Sequence, residues 1–350
     1  MALSILSNYE KKLLRAIKND EPIGPKIVMI SPTDSCNIKC KICWRLEKKE
    51  DPNTWKDQEL SLDEIKAILD DCKEMGVETV DFTGGGEPFC RKEIWDIIKI
   101  IKNYGIKGTL TSNGTLINEK TAKKIVELGL DDVCFSLDSF EEKINDEIRG
   151  KGVHAKVLKA IDLINKAKKD AGSDLPVVRL GTVITAKNYD KLESLVDFAA
   201  NNNIKSINFS VLLDWESNKE FSMKDVKKQD VEKALSNLKK KLDKTGIFSN
   251  LNSIIKQGLS EHDTPNFCFA PWQMAFINSR GEMLACCILA SFYENVIGNV
   301  HDSSFKELWQ SKKMQDFRKR IKGKKWFKGC KMCLPQFVDD FNELNKKLGL

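Results

Sequence analysis

Short apolar runs alternate with amphipathic stretches from residue 27 to residue 211. IVMIS (27–31), ETVDFT (78–83), KGTLTS (107–112), DVCFSLD (132–138), VVRLGTVI (177–184) and SINFSV (206–211) each predict a buried strand, because each is brief, apolar and closed by turn residues. Between the first two, Ser61-Leu-Asp-Glu64 makes a capping box. Ile65, Ile68, Leu69 and Cys72 then follow at i, i+3, i+4 and i+7 before Gly76, which predicts an amphipathic helix. Similar patterns at 92–104, 119–128, 155–167 and 190–201 put a helix after each of the first five strands. Strands alternating with helices make right-handed βαβ units and a parallel sheet, either open or curled into a partial barrel, with functional residues at the carboxyl edge.

The rhythm breaks into lysine-rich helix from about 221 to 262, and beyond Pro265 five cysteines fall between Phe267 and Cys333. Four segments are expected: an N-terminal helical extension (1–25), an α/β unit (26–213), a helical linker (214–262) and a cysteine-rich C-terminal domain (263–350).

Composition narrows the class. The 350 residues are 41% hydrophobic and 31% charged, which suits a globular chain. The N-terminal apolar stretch is too short for a signal peptide and no apolar run approaches a membrane span, so a cytoplasmic protein without a membrane partner is expected. Eleven cysteines in such a chain favour metal binding or catalysis over disulfides. The net charge of +6 is well mixed, with local basic patches at 238–244 and 322–328. Solvated helix faces account for these more simply than nucleic-acid binding.

Cys36, Cys40 and Cys43 form C-x3-C-x2-C just after the first strand, at the functional edge of the sheet. Thiolates at that spacing suit an iron–sulfur cubane or zinc. A [4Fe-4S] cluster needs four ligands, so three leave one iron open to a small molecule. Zinc would want a fourth ligand nearby, and the next cysteine, Cys72, lies on a helix core face.

The chain resembles the radical S-adenosylmethionine (radical SAM) superfamily, whose CxxxCxxC loop follows the first strand and carries an apolar or aromatic residue before the last cysteine, here Ile42. The resemblance implies a partial (βα)6 TIM-like barrel and a cluster whose open iron is chelated by the methionyl part of SAM. It implies too a 5'-deoxyadenosyl radical that abstracts a substrate hydrogen, and an electron donor such as flavodoxin or ferredoxin. In "DFTGGGEP", Gly84, Gly85 and Gly86 let backbone approach a ligand, and Glu87 resembles the family's acceptor for the methionyl amine. Ser112 and Asn113 in "TSNGTL", and Ser136 and Asp138 in "SLDS", resemble positions lining the SAM pocket. Arg149 either reaches the SAM carboxylate or pairs with Glu147.

Cys268, Cys286, Cys330 and Cys333 supply four thiols, enough for a closed [4Fe-4S] cluster or a structural zinc. Their arrangement resembles the shortened SPASM or "twitch" domain, a small α+β unit with one auxiliary cluster; Cys287 is the spare beside Cys286. Cys72, Cys90 and Cys134 read as core or incidental thiols, and Trp44 and Trp272 as flanking residues.

A closed auxiliary cluster has no open iron, so electron transfer is its simplest task. The leading expectation is a dehydrogenase-like enzyme that oxidises or rearranges a hydroxylated small molecule such as a sugar or cyclitol, with the auxiliary cluster as electron acceptor. The 26 residues ahead of the first strand favour this over peptide modification, and the ending "NKKLGL" lacks the Gly-Gly tail of the molybdenum-cofactor cyclase. The alternatives are a peptide maturase and, more distantly, a non-catalytic iron–sulfur or zinc protein that carries electrons or binds nucleic acid. Arg179, Asn208, Ser210, Asp214 and Trp215 are the candidate substrate groups, subject to strand phase.

Overall fold

The computed structural model describes residues 6–48, 58–259, 264–292 and 295–349; the expected boundary between 262 and 263 lies outside them. The six expected strands form as β1 (Ile27–Ile30), β2 (Thr79–Phe82), β3 (Lys107–Ser112), β4 (Asp132–Ser136), β5 (Val177–Ile184) and β6 (Ser206–Val211). They pair in parallel and in chain order, as the alternation implied, in the α/β partial barrel that the resemblance implied. The helix Leu62–Glu74 carries the Ser61/Glu64 capping box and buries Ile65, Ile68, Leu69 and Cys72, as the spacing predicts.

Burial alternates along these strands. In β5, Val178, Leu180, Thr182 and Ile184 are buried while their neighbours are only partly so. The buried set packs with the helices into one continuous hydrophobic core. The other face bounds the barrel interior, where Thr109 donates to Asp81 at 2.6 Å and Arg179 Nε lies 2.6 Å from Asp132 Oδ2. Apolar burial of the first face drives folding; the second is left free for chemistry.

The C-terminal part continues the same sheet. β8 (Met274–Ile277) runs parallel to β1 in the register Ile27↔Met274, and β9 (Glu282–Leu284) and β10 (Val296–Asn299) extend that edge antiparallel. Segment 214–262, expected as a helical linker, also supplies a strand: β7 (Phe248–Ser249) pairs with β6 on the far edge. The helix Lys228–Thr245 buries Leu235, Leu238 and Leu242. The helix Glu142–Arg149 was not expected, since its eight residues make a period too short to read. It lies against the cysteine loop, where Lys41 N donates to Ile148 O at 2.9 Å.

Candidate active site

The loop after β1 is held on three sides. Glu59 accepts from Thr33 Oγ1 at 2.8 Å and from Asp34 N at 2.6 Å. Arg91, 9% exposed, donates to Pro32 O and Leu60 O, both at 2.7 Å. Gly86 N and Glu87 N donate to Thr33 O (2.7 Å) and Ser35 O (2.9 Å), zipping the glycine turn onto the cysteine loop. A Cβ at Gly85 would lie 1.8 Å from Ser31 Oγ, and one at Gly86 1.9 Å from Ser35 O. The turn therefore needs glycine at these two positions because the protein's own backbone passes there. Gly84 has φ of 101° and faces the Phe276 ring.

The loop aims Cys36, Cys40 and Cys43 into a cavity of about 500 Å³. Gly84, Gly85, Gly86, Glu87, Ser112, Asn113, Ser136 and Arg149 also line it. Glu87 is 3% exposed; its Oε1 accepts from Ser112 Oγ at 2.8 Å and its Oε2 from Asn113 N at 2.7 Å. Burial pushes this carboxyl up to about 7 against those donors. Two carboxylate oxygens offer about four acceptor sites, so capacity remains for one more donor from the cavity. Asn113 Nδ2 donates to Asn37 Oδ1 at 3.0 Å and lies 3.9 Å from Cys36 Sγ, so this side chain ties the third strand's loop to the first.

Arg149 departs from one of its two expectations. Glu147 pairs instead with Lys187 at 3.0 Å, because the helix turns it to solvent. Arg149 is 9% exposed and pairs with Asp138, Nε to Oδ2 at 2.7 Å and Nη2 to Oδ1 at 3.0 Å. Burial alone would lower its pKa, but the Asp138 charge overcomes this and holds the guanidinium above its ordinary range. Asp138 is fully buried, also accepts from Val183 N at 2.8 Å and does not reach the cavity wall. It orients Arg149, which lies beside Cys40. Burial pushes the Cys40 thiol up to about 11 and raises Cys43, while Arg149 opposes the shift at both.

The same cavity is also lined by Cys287, Ile288, Met332, Cys333, Leu334 and Pro335. Burial drives the Cys268 and Cys333 thiols well above the ordinary range, and each feels Cys286 and Cys330 as well. Cys286 is raised by its hydrogen bond with Cys287 and then by burial. The two adjacent cysteines thus separate: Cys286 faces the other three thiols and Cys287 faces the cavity.

Thiols held this far up are protonated near neutral pH until a cation replaces the proton, which is what iron or zinc does. Tetrahedral zinc, with Zn–S near 2.3 Å, would draw its sulfurs to about 3.8 Å from one another. Among the described residues no three histidine, cysteine or acidic side chains are grouped as ligands of a single ion. The two sets, one of three thiols beside a buried cation and one of four that includes the buried Cys333, fit thiolate-ligated clusters in number, although Cys36 is exposed.

Residues 30–199 match the family described as Radical SAM superfamily, and residues 268–334 match SPASM, an iron–sulfur cluster-binding domain. The chain belongs to the radical SAM superfamily. The cofactors of its two domains are S-adenosylmethionine and iron–sulfur clusters. Among curated relatives of this radical SAM protein is the tungsten-containing aldehyde ferredoxin oxidoreductase cofactor-modifying protein of Pyrococcus furiosus. It is 25% identical over 315 residues, which cover 84% of this chain and 83% of that one. The AdoMet-dependent heme synthase of Oleidesulfovibrio alaskensis is 25% identical over 87% of this chain and 79% of its own length. Streptococcus suis SuiB, solved bound to its precursor peptide SuiA, shares the fold with a TM-score of 0.69 at 20% identity, over 90% of this chain and 72% of that chain.

Of the expected substrate groups, Ser210 and Trp215 line the cavity. Arg179 is engaged with Asp132, and Asp214 pairs with Lys224 at 3.3 Å beside a neighbouring groove. Trp44 is on the cavity wall, whereas Trp272 packs against Phe267, with ring centroids 5.5 Å apart. The cavity residues that sequence reasoning missed include Leu212, Leu213, Phe276, Ile288, Met332, Leu334 and Pro335. Proximity in sequence to Ser210, Trp215 and Cys333 was the one available signal. No helix of the described residues is long and apolar enough to cross a membrane.

Proposed function

We propose that this radical SAM enzyme removes a hydrogen atom from a substrate held between its two cysteine sets, and that the C-terminal set takes up the electron left behind. The observation that carries this reading is one cavity lined both by Cys36, Cys40 and Cys43 and by Cys333. A [4Fe-4S] cluster on the first three cysteines supplies the reductive cleavage of S-adenosylmethionine, and with it the hydrogen-abstracting radical. Glu87 keeps an acceptor site for the methionyl ammonium, and Arg149, fixed by Asp138, offers a cation to the carboxylate and to the Cys40 sulfur. Ser112, Asn113 and Ser136 complete the polar end. Cys268, Cys286, Cys330 and Cys333 hold a second [4Fe-4S] cluster. Eleven cysteines outside any disulfide favour a reducing, cytoplasmic setting.

The apolar part of the lining bears on the substrate. Leu212, Leu213, Ile288, Leu334 and Pro335 are apolar, and Glu87 and Arg149 are the charged residues of the lining. A sugar or cyclitol would leave hydroxyls without partners against that lining, at roughly 1–3 kcal/mol each. A substrate with an apolar reacting end, a peptide side chain or the body of a cofactor precursor, loses nothing there. The names of the relatives, a cofactor-modifying protein and a heme synthase, lean the same way, as does the mycofactocin maturase of Mycolicibacterium smegmatis, 31% identical over 48% of this chain. The test is anaerobic incubation of reduced, reconstituted protein with S-adenosylmethionine. 5'-Deoxyadenosine should form and should vanish in Cys40→Ala. Deuterium transfer into it from labelled peptides or tetrapyrroles, and none from labelled cyclitols, would support the apolar assignment; the reverse would overturn it.

A further inference from the structure

The clamps of Glu59, Arg91 and the glycine turn act on the first half of the cysteine loop, residues 32–35. The second half, from Cys40 to Cys43, is met by different elements. Lys41 N donates to Ile148 O at 2.9 Å, at the end of the helix Glu142–Arg149. Ile42 packs, with Ile144 and Val183, against a small apolar cluster made of Ile148, Leu212 and Phe221. These three side chains are buried and form a cluster separate from the main core.

Leu212 and Phe221 belong to the segment that leaves β6, and hydrogen bonds fix its course. The buried Asn218 side chain donates to Leu213 O and accepts from Trp215 N, both at 2.9 Å, and Phe221 O accepts from Ala186 N at 2.9 Å just past β5. The short turn Glu216–Phe221 is thereby brought back to the cysteine loop. There Lys41 Nζ stands 3.7 Å from Glu220 Oε1 and 5.8 Å from the centre of the Phe221 ring, and Lys187 Nζ lies 6.0 Å from the same ring. Both members of the ion pair are more than half exposed, so it adds little. The buried Phe221 ring is the larger contribution. The same segment supplies Leu212, Leu213 and Trp215 to the cavity lining.

We propose that Phe221 is a positioning residue for the radical reaction: through Ile42 and the helix Glu142–Arg149 it holds Cys40 and Cys43 at the separation their cluster requires. The inference rests on the reading that Cys36, Cys40 and Cys43 hold a cluster. Thiolates bind one cluster at fixed distances, so a loop left loose at Cys40 and Cys43 spends less time in the binding arrangement. The helix end that meets the loop also carries Arg149. One small apolar cluster thus sets two of the three thiols and the cation beside them.

The first experiment uses ligand-free protein and reads the alkylation rate of each cysteine with iodoacetamide, by peptide mass mapping. Phe221→Ala should speed Cys40 and Cys43 by at least about tenfold, while the already exposed Cys36 and the buried Cys72 and Cys134 change by less than about twofold. Phe221→Leu keeps an apolar side chain but offers no ring to Lys41 and Lys187, and should return both rates to within about threefold of wild type. Ile42→Ala removes the loop's side of the packing. It should speed the same two thiols, and joined to Phe221→Ala it should add less than the product of the separate effects. Equal acceleration at Cys72 and Cys134 would assign Phe221 to the whole fold and overturn the proposal; so would unchanged rates at Cys40 and Cys43, or full multiplication in the double variant. Iron is then counted after reconstitution: Phe221→Ala should lose the irons of the first set and keep those of the second, and Phe221→Leu should keep both. A wild type without irons on the first set refutes the cluster reading, whereas one that has them, with unaltered thiol rates in Phe221→Ala, refutes the brace alone.

Discussion

Glu87 sits 3% exposed with Ser112 and Asn113 donating to its oxygens, and burial still lifts it from 4.5 to about 7. Below about pH 4.5 it is protonated in folded and unfolded chains alike and costs nothing. As the pH rises through about 7 the unfolded chain has already lost the proton, and the folded state either keeps it or buries a charge, so stability is lost, by roughly 3 kcal/mol at pH 8. In ligand-free protein, Glu87→Gln should therefore gain on wild type by about that amount between pH 5 and pH 8, read from denaturant unfolding; a constant difference would contradict the burial cost. An ammonium group in the cavity would offset the same cost, which is why a buried carboxylate is useful there. The residue was legible in the sequence from its place after three glycines. Its pKa was not, because that depends on how deeply the turn is covered by the loop around Ser35.

At the scale of elements, the site is two loops and a helix fastened together. The glycine turn meets the cysteine loop so closely that Gly86→Ala forces its Cβ against Ser35 O. We expect that variant to lose about 2–4 kcal/mol, measured by thermal unfolding, and to lose the irons of the first cysteine set while keeping those of the second. The helix Glu142–Arg149 ends in the guanidinium that neutralises Asp138. Arg149→Ala leaves that carboxylate fully buried and unpaired, so a loss of about 3–5 kcal/mol is expected, and Arg149→Lys should restore only part of it because the two-nitrogen contact is gone. A change in Tm no larger than that of Glu147→Ala would contradict this. The strands and the Leu62–Glu74 helix could be read from the sequence because their periods are long enough to count. Arg149's partner could not, since the ten positions between Asp138 and Arg149 are bridged only by the path of a short helix. β8 could not be paired with β1 in advance either: Met274, Ala275, Phe276 and Ile277 are all buried, so the strand shows no alternation to mark its phase.

At the scale of the whole molecule, the two matched families are parts of one sheet. β8 joins the C-terminal strands to β1, and the core runs unbroken from Leu13 to Phe341. Within that fold Cys333 of the four-thiol site lines one cavity together with Cys36, Cys40 and Cys43, a relation the linear order of seven cysteines gives no hint of. The grouping of the cysteines into three and four was legible in the sequence; the apolar part of the cavity lining, with loop residues such as Leu213 and Leu334, had no periodicity by which to be found. The central claim is that these sets hold two separate clusters. It is tested by iron and sulfide per chain after anaerobic reconstitution, with zinc assayed alongside, in wild type, Cys36→Ala/Cys40→Ala/Cys43→Ala and Cys268→Ala/Cys286→Ala/Cys330→Ala/Cys333→Ala. Two [4Fe-4S] clusters predict about eight irons in wild type and about four in each variant. About four in wild type and none in the first variant, with one zinc retained, would make the C-terminal site structural and contradict the account.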